Sequence, residues 1–202
     1  MPHNLVSIII PVLEEPYLNE LRGHIGEVMR RTKTPHEVLV QQEGGLSNAV
    51  LSGVKRARGE IIVVMDGDGS HTPQDVPIMI ELLEHCDVVI GSKYTDEGKS
   101  HDTFFREFVS VATCYLARLL LGLETRDNMS GFIAARRPLF EEITVVDGMD
   151  YKFGLELIAR NQGRVHEHPI IFRKRVSGSS KASIMQGLRT LRLIWRLRGA
   201  LA

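Results

Sequence analysis

Two aspartates one residue apart stand at the end of a β-branched run, in Ile61-Ile62-Val63-Val64-Met65 followed by Asp66-Gly67-Asp68-Gly69-Ser70-His71. Alternate residues of an extended chain point the same way, so both carboxylates can face one ion while Gly67 and Gly69 let the backbone approach a ligand closely. Paired hard oxygens suit Mg2+ or Mn2+, which keeps waters and completes its shell from a phosphate. Two other readings stand beside this one. Asp-Gly pairs are common turn residues. The stretch also begins like an EF-hand loop, but His71 stands where that loop has Gly and Pro77 where it has Glu, which excludes it.

The remaining candidates for chemistry are sparse. Cys86 and Cys114 lack CxxC spacing, which argues against a disulfide framework or thiolate metal site and for a reducing compartment. No HExxH is present, and His166-Glu167-His168 reads as an exposed strand face rather than a metal site.

The elements that must position the aspartates follow from periodicity. The run at 61–65 reads as a strand buried on both faces, delivering its carboxylates to the sheet edge where α/β proteins bind ligands. Strands are expected at Leu5 to Ile10 and Glu37 to Val40. A helix carrying Leu18, Leu21, Ile25 and Val28 lies between them, and a second, N-capped by Ser47, puts Val50, Leu51, Val54 and Ala57 inward. Thr72-Pro73-Gln74-Asp75, with the Thr72 hydroxyl as N-cap, proline at the first helical position and an acid in the first turn, signals a helix to about Glu84, and Asp87 to Gly91 a further strand. The β-α-β-α-β-α-β alternation predicts a mainly parallel sheet flanked by helices. Residues 92 to 103 read as a polar loop. Phe104 to Leu121 is an apolar helix, either buried in the core, the reading favoured here, or lying at a membrane surface. Phe132 to Ala135 and Val165 to Phe172 read as strands, and Tyr151 to Arg160 as a helix with Leu155 and Ile158 inward.

A chain of 202 residues with 43% hydrophobic content can bury a full core. Its net charge of zero conceals an asymmetry: eight Lys or Arg and no acid follow Glu167, leaving 17 bases against 25 acids in residues 1–167. A basic tail on an acidic body points to an anionic partner, phosphate groups or a lipid surface, rather than nucleic acid. In residues 183–198, Ile184, Leu188, Leu191 and Trp195 share one apolar face beside Arg189, Arg192 and Arg196. That face is expected either to dock onto the domain or to lie in a headgroup region. No signal peptide and no spanning segment are evident, so a peripheral position on the cytoplasmic face of the membrane is expected.

Several separated pieces agree with one family. They are Ile8-Ile9-Ile10-Pro11-Val12 with Glu15; Gly45-Leu46-Ser47-Asn48-Ala49 with Gly53; Gly59-Glu60 entering Asp66-Gly67-Asp68; Gly91-Ser92-Lys93-Tyr94; Ser130-Gly131-Phe132; Tyr151-Lys152-Phe153 with Glu156; and Phe172-Arg173-Lys174-Arg175 with Gly178, Ser180 and Lys181. In this the chain resembles family 2 glycosyltransferases of GT-A fold, specifically polyprenyl-phosphate (dolichol-phosphate) mannosyl or glucosyl synthases. The resemblance implies a nucleotide-sugar donor, GDP-mannose or UDP-glucose, and a polyprenyl or dolichyl phosphate acceptor. Asp66 and Asp68 would hold the metal that bridges the donor phosphates, with Ser70 where relatives often have glutamine. Pro11, Glu15, Gly67 and Lys93 fall in substrate-binding motifs. Arg175 and Lys181 would neutralise the leaving diphosphate, and Ser130 with Arg106 would meet the acceptor phosphate. Asp68, Arg175 and Lys181 are the expected catalytic residues.

The chain departs from that family after the second strand. Relatives have a paired-acid turn, a helix and a strand before the Gly-Leu segment, whereas Val40 here runs directly into Gln41-Gln42-Glu43-Gly44. Glu43 is left as a substitute ribose acceptor beside a reduced base pocket. Two functions stand open: a metal-dependent hexosyl transferase, with a domain at 1–182 and a basic amphipathic helix at 183–202, or a non-catalytic relative that acts as a binding or regulatory partner. Nucleotidyl transfer is a more distant third.

Overall fold

The structure, a computed structural model, describes residues 5–12, 16–42, 44–101, 104–144, 152–174 and 184–201, without the side chains of 104–106 and 184–186. In chain order its elements are β1 (Val6–Pro11), α1 (Leu18–Arg31), β2 (His36–Gln41), α2 (Leu46–Arg56), β3 (Ile61–Val64), α3 (Asp75–Leu82) and β4 (Val88–Ser92). There follow β5 (Lys99–Ser100), α4 (Phe104–Leu121), β6 (Ile133–Arg136), α5 (Arg137–Glu141), α6 (Phe153–Arg160), β7 (Val165–Pro169), β8 (Ile171–Phe172) and α7 (Ile184–Leu201).

Six strands form one sheet in the order β2-β1-β3-β6-β4-β7. β1 pairs in parallel with β2 and β3, β4 pairs in parallel with β7, and β6 runs antiparallel between β3 and β4. The expected mixed, mainly parallel sheet is therefore present, with its one reversed strand at Ile133–Arg136. Because successive side chains of a strand leave on opposite faces, the continuous apolar runs feed two cores. Ile9, Ile62, Val64, Ile90 and Ile133 pack with helical residues such as Val50, Ala117, Leu157 and Ile194 on one face. Ile8, Ile10, Val63, Val89 and Phe132 pack with Leu21, Ile25 and Met79 on the other. Each such side chain taken from water contributes roughly 1.5–3 kcal/mol. Gly53 lets α2 settle on the sheet, since a β-carbon there would lie 2.7 Å from Ile9 Cγ2.

Several local expectations are corrected. Ser47 and Thr72 do not cap: α2 follows Gly45 at φ +87°, and α3 follows a turn in which Asp75 N–H donates to the Thr72 carbonyl. Within the expected loop at 92–103, β5 pairs with β8 in a second, two-stranded sheet, so the single strand expected at 165–172 divides in two. The short helix α5 was not anticipated.

The two amphipathic helices also differ from expectation. In α4 the small side chains Cys114 and Ala117 are buried, whereas Phe108, Tyr115 and Leu119 are 65%, 66% and 69% exposed. Leu120 and Leu121 pack against the same core, so core burial holds for one face of the helix and not for Phe108, Tyr115 and Leu119. In α7 the inward stripe is Thr190, Leu193, Ile194 and Leu197, while Leu188, Leu191 and Trp195 point outward. The apolar face read from the sequence is thus the uncovered one, and a second stripe docks the helix.

Candidate active site

Parallel strands bring their carboxyl ends to one edge, and the reversed β6 brings its amino end there too. That places Pro11, Asp66, Lys93 and the Ser130-Gly131 turn together, from β1, β3, β4 and the approach to β6 respectively. The Met65 N–H donates to Ile9 O at 3.1 Å, carrying the β1–β3 pairing up to the first aspartate.

From there the chain turns on itself. Gly69 has φ +80°, and the Ser70 N–H donates to Asp68 Oδ1 at 3.0 Å. Asp68 is 4% exposed. The Asp66 N–H donates to His71 Nδ1 at 3.1 Å, so the neutral ring carries its proton on Nε2. Burial holds that imidazole below its ordinary pKa, outweighing the opposing pull of Asp66 and Asp68. The ring stacks on Phe132 at 4.8 Å and meets Phe172 edge-on at 5.6 Å. Its ligating Nδ1 is therefore spent on the backbone, which makes His71 a brace for the turn.

The donor set suits a hard divalent cation. The Ser70 hydroxyl is buried without a hydrogen-bond partner among the described residues, an expensive condition that a cation or its water would relieve. Asp66 and Asp68 would hold Mg2+ or Mn2+ with Ser70 Oγ nearby, and the chain offers no larger group of metal-ligating His, Cys, Asp or Glu among the described residues.

Opposite stands the turn at 126–131. A β-carbon on Gly131 would lie 3.6 Å from Asp66 Oδ1, in ordinary contact, so the turn stands directly against the carboxylate. The Ser130 hydroxyl donates to the Gly91 carbonyl at 2.7 Å and accepts from the Phe132 N–H at 3.2 Å. The side chain expected to meet the acceptor phosphate is thus also an anchor between β4 and the turn. Lys93 donates its backbone N–H to Asp127 Oδ2 at 3.1 Å, while its ammonium lies 4.8 Å from the Phe172 ring and 5.2 Å from that of Tyr94. Of the remaining expected residues, Glu15, Glu43, Arg175 and Lys181, and the side chain of Arg106, lie outside the described residues.

Three further charged groups belong to this edge and carried no role in the sequence reading. Asp127 is 2% exposed, and burial raises its carboxyl pKa against the lowering pull of Lys93. Lys152, just before α6, donates from Nζ to the Met129 carbonyl at 3.1 Å. Desolvation lowers its pKa. Glu167 of β7 accepts the N–H groups of Arg126 and Asp127 at 2.8 and 2.9 Å. Only Asp127 had a local signal, its nearness to Ser130; the other two arrive through tertiary packing. Cys114 is inert, its thiol pushed up to about 12 by burial.

Comparison with known proteins agrees with this architecture. The chain is 34% identical over 176 residues to "Dolichol-phosphate mannosyltransferase" of Pyrococcus furiosus, covering 85% of this chain and 47% of that protein. It is 35% identical to "Polyprenol monophosphomannose synthase" of Mycolicibacterium smegmatis over 70% of this chain and 57% of that one. The chain thus spans about half to three-fifths of the length of these relatives. Among solved structures, glucosyl-3-phosphoglycerate synthase from Mycobacterium tuberculosis with Mn2+, UDP-glucose and phosphoglyceric acid superposes with a TM-score of 0.71 at 16% identity, over 97% of this chain and 80% of that one, and so shares the GT-A fold. The family profile described as "Glycosyl transferase family 2" matches residues 25–144, more than half of the chain, and the chain belongs to that family.

Proposed function

We propose that this protein transfers a hexose, mannose or glucose, from a nucleotide diphosphate sugar to a polyprenyl or dolichyl phosphate at the cytoplasmic face of a membrane, with Mg2+ or Mn2+. The names of the curated relatives, transferases acting on dolichol and undecaprenyl phosphate, support that acceptor class. One observation carries the reading: the backbone at Gly131, next to Ser130, stands against the Asp66 carboxylate, and this nearness of the residues read as acceptor-binding and metal-binding supports it.

In this reading Asp66, Asp68 and Ser70 fix the diphosphate end of the donor. A bound divalent cation supplies charge stabilisation for the departing nucleoside diphosphate. Arg175 and Lys181 add fixed positive charge as that group leaves, which lowers the barrier only insofar as they act on charge that develops in the transition state. The acceptor is a phosphate monoester with a second pKa near ~6, largely ionised at neutral pH, so no strong general base is required. Lys93 offsets part of its charge. Residues 1–182 form the transferase unit, and 183–202 the helix that meets the membrane.

A second reading, a non-catalytic relative, is favoured by the short path from β2 to α2. β2 lies at the sheet edge and ends at Gln41, and α2 begins at Leu46, so little chain remains to grip a base. Calorimetry with GDP-mannose and UDP-glucose, with and without Mn2+, followed by a transfer assay to a prenyl phosphate, separates the two. Metal-dependent binding with turnover supports transfer. Binding without turnover supports the second reading.

A further inference from the structure

The turn from Arg126 to Gly131 is held by several hydrogen bonds, and the group at its start comes from β7, the outer strand of the sheet beside β4. Glu167 lies on β7 in register with Ile90 of β4. Its two carboxylate oxygens take two successive backbone N–H groups, Arg126 on Oε2 at 2.8 Å and Asp127 on Oε1 at 2.9 Å. Bonds from N–H to a carboxylate are stronger than those between neutral partners, and a two-pronged arrangement fixes direction as well as distance. The residue so held then orders its neighbours: Asp127 Oδ2 accepts the Lys93 N–H, and the Ser130 N–H donates to Asp127 O at 3.3 Å.

We propose that Glu167 is a positioning residue for the acceptor phosphate, acting through the backbone of the 126–131 turn without touching the substrate; this rests on the function proposed above. Ser130 Oγ is already engaged with Gly91 O and Phe132 N–H, so its side chain has little freedom to search for a ligand. The position of the whole turn sets where a phosphate can bind. A displacement of about 1 Å in such a group is enough to cost two orders of magnitude in rate.

Substitution Glu167→Gln keeps the shape but turns one oxygen into an NH2 group facing an N–H donor. Binding of farnesyl phosphate is expected to weaken by about ten-fold or more, while Mn2+-dependent binding of GDP or UDP stays within about two-fold. Unchanged farnesyl phosphate affinity overturns the proposal, as does a parallel loss of both affinities in step with thermal stability. If the variant does not fold, amide exchange at Arg126 and Asp127 in the unaltered chain decides: slower exchange on adding farnesyl phosphate supports the role, and indifference overturns it. Failure of the unaltered chain to bind farnesyl phosphate under any condition overturns the proposed function and this inference together, an outcome distinct from the others.

Discussion

The backbone N–H of Arg173 donates to the carbonyl oxygen of Ser70 at 3.0 Å, joining the turn that carries both aspartates to the strand that leads into the basic segment. Phe172, one residue earlier, meets the His71 ring edge-on and lies under the Lys93 ammonium. The turn that carries the two aspartates is thereby braced by β8, while Asp68 supplies its internal hydrogen bond. In the proposed reading Asp68 also holds the metal, and its substitutions separate the two roles.

Asp68→Asn preserves a carbonyl oxygen for the Ser70 N–H but removes the charge. It is expected to abolish Mn2+-dependent nucleotide binding with thermal stability nearly intact. Asp68→Ala loses the hydrogen bond as well, at a further cost of about 1 kcal/mol. Titration calorimetry and thermal melts read the two effects; Mn2+-dependent binding retained by Asp68→Asn contradicts the metal site.

Lys152 tests whether a residue held at a stability cost serves activity. Its folded pKa is depressed by desolvation, so the unfolded chain holds that proton more readily than the folded one. Stability is therefore penalised as pH falls through the range below the ordinary lysine value near ~10.4, and the penalty levels off below the folded pKa. Lys152→Met should raise the melting temperature relative to the parent at pH 7, with a smaller gain near pH 10, and should reduce transfer. A gain independent of pH contradicts the assignment.

Gly91→Ala probes the junction of β4 with the turn. A β-carbon there would stand 2.8 Å from Phe132 Cδ1 and 3.1 Å from Ile170 Cγ2, inside the core. Overpacking of this kind costs about 1–3 kcal/mol, measurable by urea denaturation. An unchanged midpoint shows that Phe132 yields freely.

The legible part of this molecule was what repeats along the chain. Ile61 to Met65 announced a strand covered on both faces and Leu5 to Ile10 an apolar strand beside it, and Asp66 with Asp68 announced the edge they serve. What was illegible depends on partners distant in sequence. Nothing near Glu167 signals that its carboxylate reaches Arg126, and an alternating His-Glu-His reads equally well as a solvated strand face. The reversal of β6 was hidden because four residues, Ile133 to Arg136, look alike in either direction. Helix α7 carries two apolar stripes, and periodicity alone does not say which one docks.

That distinction decides the last prediction. Since Leu193, Ile194 and Leu197 already anchor α7 to the body, Leu188, Leu191 and Trp195 remain available, with Arg189, Arg192, Arg196 and Arg198 exposed around them. α4 packs against α7 and adds uncovered Phe108, Tyr115 and Leu119. No helix among the described residues is long and apolar enough to cross a membrane; under the proposed function, contact with a lipid acceptor is assigned to these faces. Each arginine near an anionic surface contributes about 1 kcal/mol, and tryptophan favours the interface. The protein is expected to sediment with anionic liposomes, less with neutral ones, and less again in high salt. Trp195→Glu should release it without lowering its melting temperature, because that side chain is 66% exposed and supports no core. Truncation of α7 is a poorer test, since it would open the packed face. Binding that ignores both salt and Trp195→Glu would place the membrane contact elsewhere on the chain.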